Sequence, residues 1–388
     1  MKKKARIIAF YLPQYHPIPE NDQWWGKGFT EWRNVGLAKP LFKGHYQPKV
    51  PSDLGYYDLR MPEIREQQAK LAKDAGIEGF CYWHYWFGDG RELLERPFKE
   101  VLESGKPDFP FCLGWANHSW SNKTWTVGKK FSDTMLMEQK YPGEEDYKNH
   151  FFNYLKAFKD KRYLRVDGKP LFLVFDPLGI KDTNLFFNTW NKLASENGLK
   201  GFHFVGLTSN FSMKQKIGNH SKYSLSKQDI QPSKFYKQVL DLGFDAVNSR
   251  GITLAEMKTK GFIKYYFEKF LKLYLKINII TKFNYKHIIK HLFVEEDKWE
   301  NVYPTIIPNW DRSPRSGKRA EIWYNTTPEL FYQHIKKALK IISNKEDEHK
   351  IIFLQSWNEW GEGNYVEPDC KYGHGYLESI KKALNDEI

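Results

Sequence analysis

The sequence of 388 residues predicts an α/β fold of the (β/α)8 or TIM-barrel class, with long insertions in its βα loops. Two observations predict it. Short apolar runs rich in β-branched and aromatic residues recur eight times between stretches of helical periodicity, the alternation expected of parallel strands joined by helices. Polar and aromatic residues also gather directly after most of these runs, at the end of a barrel where chemistry is done.

The eight strand-like runs are 6–12, 77–83, 109–115, 171–175, 201–207, 244–247, 303–308 and 351–357. Helical stretches fall between or after them at 62–75, 91–103, 144–158, 184–196, 233–242, 254–275, 328–342 and 375–385. The sixth run is short, and insertions at 208–231 and 261–300 interrupt the alternation. No Gly-, Ser- or Pro-rich linker divides the chain, and no solenoid-length repeat is present. One domain over 1–388 is therefore the expectation, with a basic amphipathic insertion at about 261–300. A doubly wound sheet is the alternative, but Pro13-Gln-Tyr-His-Pro stands after the first run where that fold carries a Gly-rich phosphate turn.

A hydrophobic content of 41% supports a sizeable core, and 28% charged residues suit a protein in water rather than a disordered chain. Aromatic residues make up 17%, with 14 Trp, many set beside Asn, Asp, Glu and Gly in short loops, which suits a polar ligand with flat apolar faces such as a sugar. The three cysteines, Cys81, Cys112 and Cys370, form no spacing motif, so a reducing compartment is the simplest reading. The basic start resembles a signal-peptide n-region, but the apolar run after it is too short and ends at Pro13. With no stretch of transmembrane length, a cytoplasmic location is expected.

The net charge of +13 is concentrated locally: residues 260–291 carry eight lysines and one acid, Glu268. A local patch argues against a nucleic-acid groove. Two readings remain for it. One is a solvated helix face over a buried one. The other is peripheral contact with an anionic membrane or a lipid-linked glycan through Lys264, Lys269, Lys272 and Lys276.

Candidate ligand-binding residues follow the runs in turn. They are Tyr15 and His16 after the first; Trp83, His84 and Tyr85 at the second; Trp115, Asn117 and His118 at the third; and Asp176 after the fourth. Asn309, Trp310, Asp311 and Arg312 follow the seventh, and Trp357, Asn358 and Trp360 the eighth. His16, His84 and His118 follow different strands without HxH or HExxH spacing, so hydrogen bonding to substrate or rim packing is preferred to metal binding, and no metal or cofactor is predicted.

The strongest signal is Trp357-Asn-Glu-Trp-Gly-Glu-Gly. Glu359 and Glu362, three positions apart in a helical turn, would have β-carbons about 5–6 Å apart, near the roughly 5–5.5 Å carboxyl separation of retaining glycosidases. Like charges that close, flanked by indoles, push one pKa upward and leave an acid form near neutrality. The alternative is a surface Glu pair at a helix start.

Taken together, Ala9-Phe-Tyr-Leu-Pro-Gln-Tyr-His-Pro-Ile-Pro-Glu-Asn-Asp, Trp24-Trp-Gly-Lys-Gly-Phe-Thr-Glu-Trp, Gly79-Phe-Cys-Tyr-Trp-His-Tyr-Trp-Phe, Trp115-Ala-Asn-His-Ser-Trp and the Trp357 motif resemble the WbsX-type family. That family has a domain like glycoside hydrolase family 99 and is often encoded among bacterial surface-polysaccharide genes. The resemblance runs over nearly the whole chain. It implies a retaining enzyme on α-linked, mannose-like glycans, because family 99 members are endo-α-mannosidases with a Glu-Trp-His-Glu motif and a 1,2-anhydro sugar intermediate. By this resemblance Glu359 takes the proton of the sugar 2-hydroxyl and Glu362 serves as acid, then base, at the glycosidic oxygen. Gly361 stands where those enzymes carry His.

Three function classes follow. A glycosidase or transglycosylase fits the Glu pair. A glycosyltransferase extending a lipid-linked precursor fits the family's label, although no DxD motif is present. A non-catalytic glycan binder is favoured only if the two Glu lie far apart or unpaired.

Overall fold

The computed structural model describes residues 4–122, 134–208, 214–217, 220–223, 231–275, 277 and 279–387. All eight expected runs form strands: β1 Arg6–Tyr11, β2 Gly79–Trp86, β3 Phe111–Trp115, β4 Lys169–Val174, β5 His203–Thr208, β6 Ala246–Ser249, β7 Val302–Ile306 and β8 Ile351–Leu354. Each pairs in parallel with the next, and β8 returns to β1 through Arg6↔Ile351 to Ala9↔Leu354, so the sheet closes into a barrel. Buried on both faces, these strands read as continuous apolar runs rather than as alternating ones.

The surrounding helices are α1 Pro62–Asp74, α2 Arg96–Ser104, α3 Glu144–Lys159, α4 Thr183–Glu196, α5 Pro232–Asp241, α6 Ile252–Lys260, α7 Phe262–Leu273, α8 Pro328–Ile342 and α9 Gly375–Asn385. Their starts are set by local chemistry. Proline occupies the first turn of α1, α2, α5 and α8, where a missing N–H costs nothing. Asp182 accepts the Leu185 N–H at 2.9 Å to cap α4, and Thr327 accepts that of Leu330 at 3.3 Å to cap α8. The stretch expected as one helix over 254–275 is two, because Gly261 takes φ +85° between α6 and α7. That conformation is open to glycine and disfavoured for other residues.

The main core fills the barrel and the layer beneath the helices. Phe10 stacks between Trp83 at 4.7 Å and Phe353 at 5.2 Å. Outside β4 and β5, Trp190 of α4 packs against Phe172, Phe186 and Phe202 at 4.7–5.1 Å. A second, smaller core joins α6 and α7 to the segment after β7, through Leu254, Met257, Tyr265, Phe283, Trp310 and Trp323. A parallel ladder between Thr281–Asn284 and Glu321–Tyr324 ties the 261–300 insertion to the segment after β7. Of the insertion at 208–231, the described part beyond β5 includes an antiparallel pair, Lys214–Ile217 with His220–Tyr223.

Candidate active site

Past β8 the chain makes a tight, heavily bonded turn. Asn358–Glu359 pairs antiparallel with Asn364–Tyr365, a 3-10 turn runs over Trp360–Glu362, and Gly363 closes it at φ +59°. The Asn358 amide exchanges bonds with the Leu12 backbone at 2.8 and 3.0 Å, fixing the turn to the end of β1. The Tyr15 hydroxyl donates to the Asn358 carbonyl at 2.5 Å and accepts the Trp360 N–H at 3.0 Å. Below the turn, Glu367 accepts from Trp360 Nε1 at 2.7 Å, Gln68 at 2.6 Å and the Tyr57 hydroxyl at 2.9 Å.

This framework presents both carboxylates to one guanidinium. Arg315 Nη1 lies 3.1 Å from Glu359 Oε1 and 2.5 Å from Glu362 Oε1, and its Nη2 bonds the carboxylate of Glu31. Arg315 stands on a short helix after β7, Ser313–Ser316. That helix is held by Asp311, which accepts from His45 at 2.8 Å, Gln47 at 2.7 Å and the Ser313 N–H at 2.9 Å. Arg312 Nε adds a contact to Glu362 Oε1 at 3.3 Å. Glu31 reaches the cluster from the short helix Glu31–Leu37 of the first loop. It fills the place a side chain at Gly361 would take, since a Cβ there would fall inside the Glu31 carboxylate.

Burial, then repulsion from Glu362, pushes Glu359 up to about 7. Burial also opposes charge on Glu362, but Arg312 and Arg315 together hold it below its ordinary value. Below about pH 7 the pair therefore holds one proton, on Glu359 rather than on Glu362. Glu31 is likewise pushed up to about 7 by burial, against the pull of Arg315. Arg250, at the end of β6, donates to Gln355 at 2.9 Å, and burial lowers it to about 10.

The two carboxylates line a cavity of about 450 Å³ at the C-terminal ends of the strands. Phe10, Trp83, Tyr85 and Phe175 form part of its lining; Asn21, Trp25, His118 and Trp120 are also there, with Glu256 of α6, Lys269 of α7, and Tyr265 and Trp310 of the second core. The Asn21 amide, fully buried, and Trp310 Nε1 have no hydrogen-bond partner among the described residues. Both suit a ligand rich in hydroxyl groups.

Of the residues singled out in the sequence, Trp83, Tyr85, His118, Trp310, Arg312, Glu359 and Glu362 line this cavity. The others do not, and their contacts explain why. Tyr15, Asn358 and Trp360 hold the turn, and Asp311 holds the Arg315 helix, as described. His16 bonds the Pro13 carbonyl at 2.9 Å. His84 packs against His150 and Tyr154 at 5.0 and 4.8 Å, and burial lowers it to about 3. Trp115 donates to the Trp86 carbonyl at 2.8 Å. Asn117 clasps the Asp176 backbone at 2.7 and 2.8 Å. Asn309 bonds the Tyr365 backbone at 3.1 Å, and Trp357 stacks in the core 5.2 Å from Phe80. The sequence reading passed over Glu31, Arg250, Arg315, Gln355 and Glu367. Arg315 lies three residues beyond the polar run after the seventh strand, and Arg250 directly follows the sixth.

The closed (β/α)8 barrel, a fold shared with glycoside hydrolase-like proteins, carries a bridged pair of carboxylates past the C-terminal end of its last strand. The chain matches the family described as Glycosyltransferase WbsX over residues 7–380, and it belongs to that family. Uncharacterized protein WxcX of Xanthomonas campestris pv. campestris strain B100 is 31% identical over 98% of this chain and 50% of its own length. WxcX of strain ATCC 33913 matches at 31% over the same shares. The chain thus spans about half the length of these relatives. Among solved structures, a glycoside hydrolase-like protein superposes with a TM-score of 0.59 at 15% identity, covering 100% of this chain and 95% of the other. A GH99 endo-alpha-mannosidase of Bacteroides thetaiotaomicron, in complex with bis-tris-propane, gives 0.54 at 15% identity over 99% and 97%. At such identities the likeness is one of fold.

Proposed function

We propose that the protein is a retaining, endo-acting glycosidase or transglycosylase that works on α-linked, mannose-like glycans of a bacterial surface polysaccharide or its lipid-linked precursor, on the cytoplasmic side of the inner membrane. The observation that carries the reading is the Glu359–Glu362 pair bound through Arg315 at the cavity wall. Bonding to one nitrogen keeps the two oxygens closer than the roughly 6.5–9.5 Å of inverting enzymes, which must fit a water between them. No helix of the described residues is long and apolar enough to cross a membrane, so contact with a lipid-linked substrate would be peripheral.

Cleavage needs one group to protonate the leaving oxygen and one to assist attack at the anomeric carbon. The family resemblance gives Glu362 the first task and Glu359 the removal of the 2-hydroxyl proton. In the unliganded site below about pH 7 the proton is held by the other carboxylate. A sugar hydroxyl bound between the two carries it across, and Arg315 compensates whichever carboxylate is charged. Glu359→Gln should lower turnover by about 10³-fold or more with the fold intact by circular dichroism. An aryl glycoside with a good leaving group separates the roles: it should restore turnover to Glu362→Gln and not to Glu359→Gln, and rescue of Glu359→Gln alone would reverse them.

The family description favours a second reading, transfer from a nucleotide sugar. Incubating the protein with its own source's polysaccharide, with and without nucleotide sugars, and following products by mass spectrometry decides between them. Shorter glycans without nucleotide sugar support the glycosidase reading; a mass gain that requires one establishes the transferase. If the protein binds the glycan and neither product forms, it is a glycan-binding protein.

A further inference from the structure

Eleven large apolar side chains are exposed among the described residues, and six of them lie between 263 and 277. Four stand on α7: Ile263, Phe267, Phe270 and Tyr274, the last at its C-cap, with exposures of 84, 59, 48 and 68%. Steps of four, three and four put them in one stripe along the helix, and Leu275 and Ile277 continue the exposed apolar surface. Other residues of α7 face inward. Tyr265 is 3% exposed within the second core, and with Lys269, whose ammonium lies 4.7 Å from its ring, it lines the cavity. One helix thus has the glycan cavity on one side and a solvent-facing apolar stripe on the other.

The charge around the stripe says what would cover it. Residues 258–275 hold five lysines and one acid, Glu268, which is ion-paired with Lys260. Lys258 and Lys264 are exposed. Of the four lysines singled out from the sequence, Lys264 belongs to this exposed set, Lys269 borders the cavity, Lys272 donates to the Arg319 carbonyl at 3.3 Å, and Lys276 lies outside the described residues. A symmetric contact with a second copy would set these like charges against each other across the interface. An anionic bilayer gives them phosphates and gives the stripe hydrocarbon.

We propose that α7 is an interfacial helix whose Ile263–Phe267–Phe270–Tyr274 stripe enters the headgroup region of an anionic membrane and holds the cavity at the bilayer surface. The inference rests on the proposed function only for the reason a membrane matters, namely a glycan carried on a lipid; docking and cleavage fail separately. The test is sedimentation of the full chain with vesicles of phosphatidylglycerol and phosphatidylethanolamine, against phosphatidylcholine alone. Wild type should partition onto the anionic vesicles about tenfold more strongly, and Phe267→Glu with Phe270→Glu should remove that binding. The same double variant should cleave a lipid-free glycan as wild type does. Wild type that stays in the supernatant overturns the proposal, as does a double variant that still sediments. A wild-type dimer that the double variant turns into a monomer, with no vesicle binding by either, assigns the stripe to self-association instead.

Discussion

Gly361 has no room for a side chain because Glu31, brought in from the first loop, occupies that space and clamps Arg315. Gly361→Ala should therefore cost about 1–3 kcal/mol through overpacking, read by urea denaturation. Glu31→Ala should cost roughly 3 kcal/mol by removing one partner of a buried ion pair. Combined, the two should cost less than their sum, because the second removes the carboxylate that the first strikes. The pH profile of kcat/KM should fall as pH rises through about 7, where the Glu359–Glu362 pair loses its shared proton. Removing the Glu31 charge should move that limb, whereas loss of packing alone would not. The Glu pair was legible from its own motif. Arg315 and Glu31 were not, because what makes them part of the site is a meeting of loops 44 to 284 residues apart in the chain.

The eight strands were legible as elements because a parallel strand buried on both faces leaves an unbroken apolar run. The helix over 254–275 was misread as continuous, since its apolar periodicity runs through Gly261 and periodicity carries no record of a positive φ. Gly261→Ala should destabilise the protein by about 1–3 kcal/mol through backbone strain and lower its melting temperature. The disturbance should be local, with α6 and α7 exchanging amide hydrogens faster while β1 and β8 stay protected. His84 and Asn117, expected as ligand contacts, lie off the cavity for a related reason. A strand-end position places a residue near the site, but alternation decides whether it points at the cavity, as Trp83 and Tyr85 do, or at the helices, as His84 does.

Stability of the molecule as a whole carries the mark of its buried acids. Glu367 is pushed up to about 7 by burial, while its bonds to Trp360, Gln68 and Tyr57 pull the other way. Its folded value lies above the ordinary one, so the stability it contributes is fully present below about 4.5 and is lost as pH rises through about 7. Glu367→Gln, neutral throughout, removes that dependence. Relative to wild type, the variant should therefore gain stability between pH 5 and pH 8, measured by urea unfolding at each pH; a constant difference would show that Glu367 does not titrate in this range.

The cavity is built by two cores with different obligations. The barrel sets Glu359 and Glu362 through bonds to β1 and the closing turn, whereas Glu256, Tyr265, Lys269 and Trp310 come from α6, α7 and the segment after β7. That division is modular in the sense relevant to inheritance. Lengthening, shortening or exchanging residues 252–300 reshapes one wall of the cavity and leaves the bonds that align the carboxylates intact. A lineage can thus keep one arrangement of carboxylates while changing what the cavity accepts.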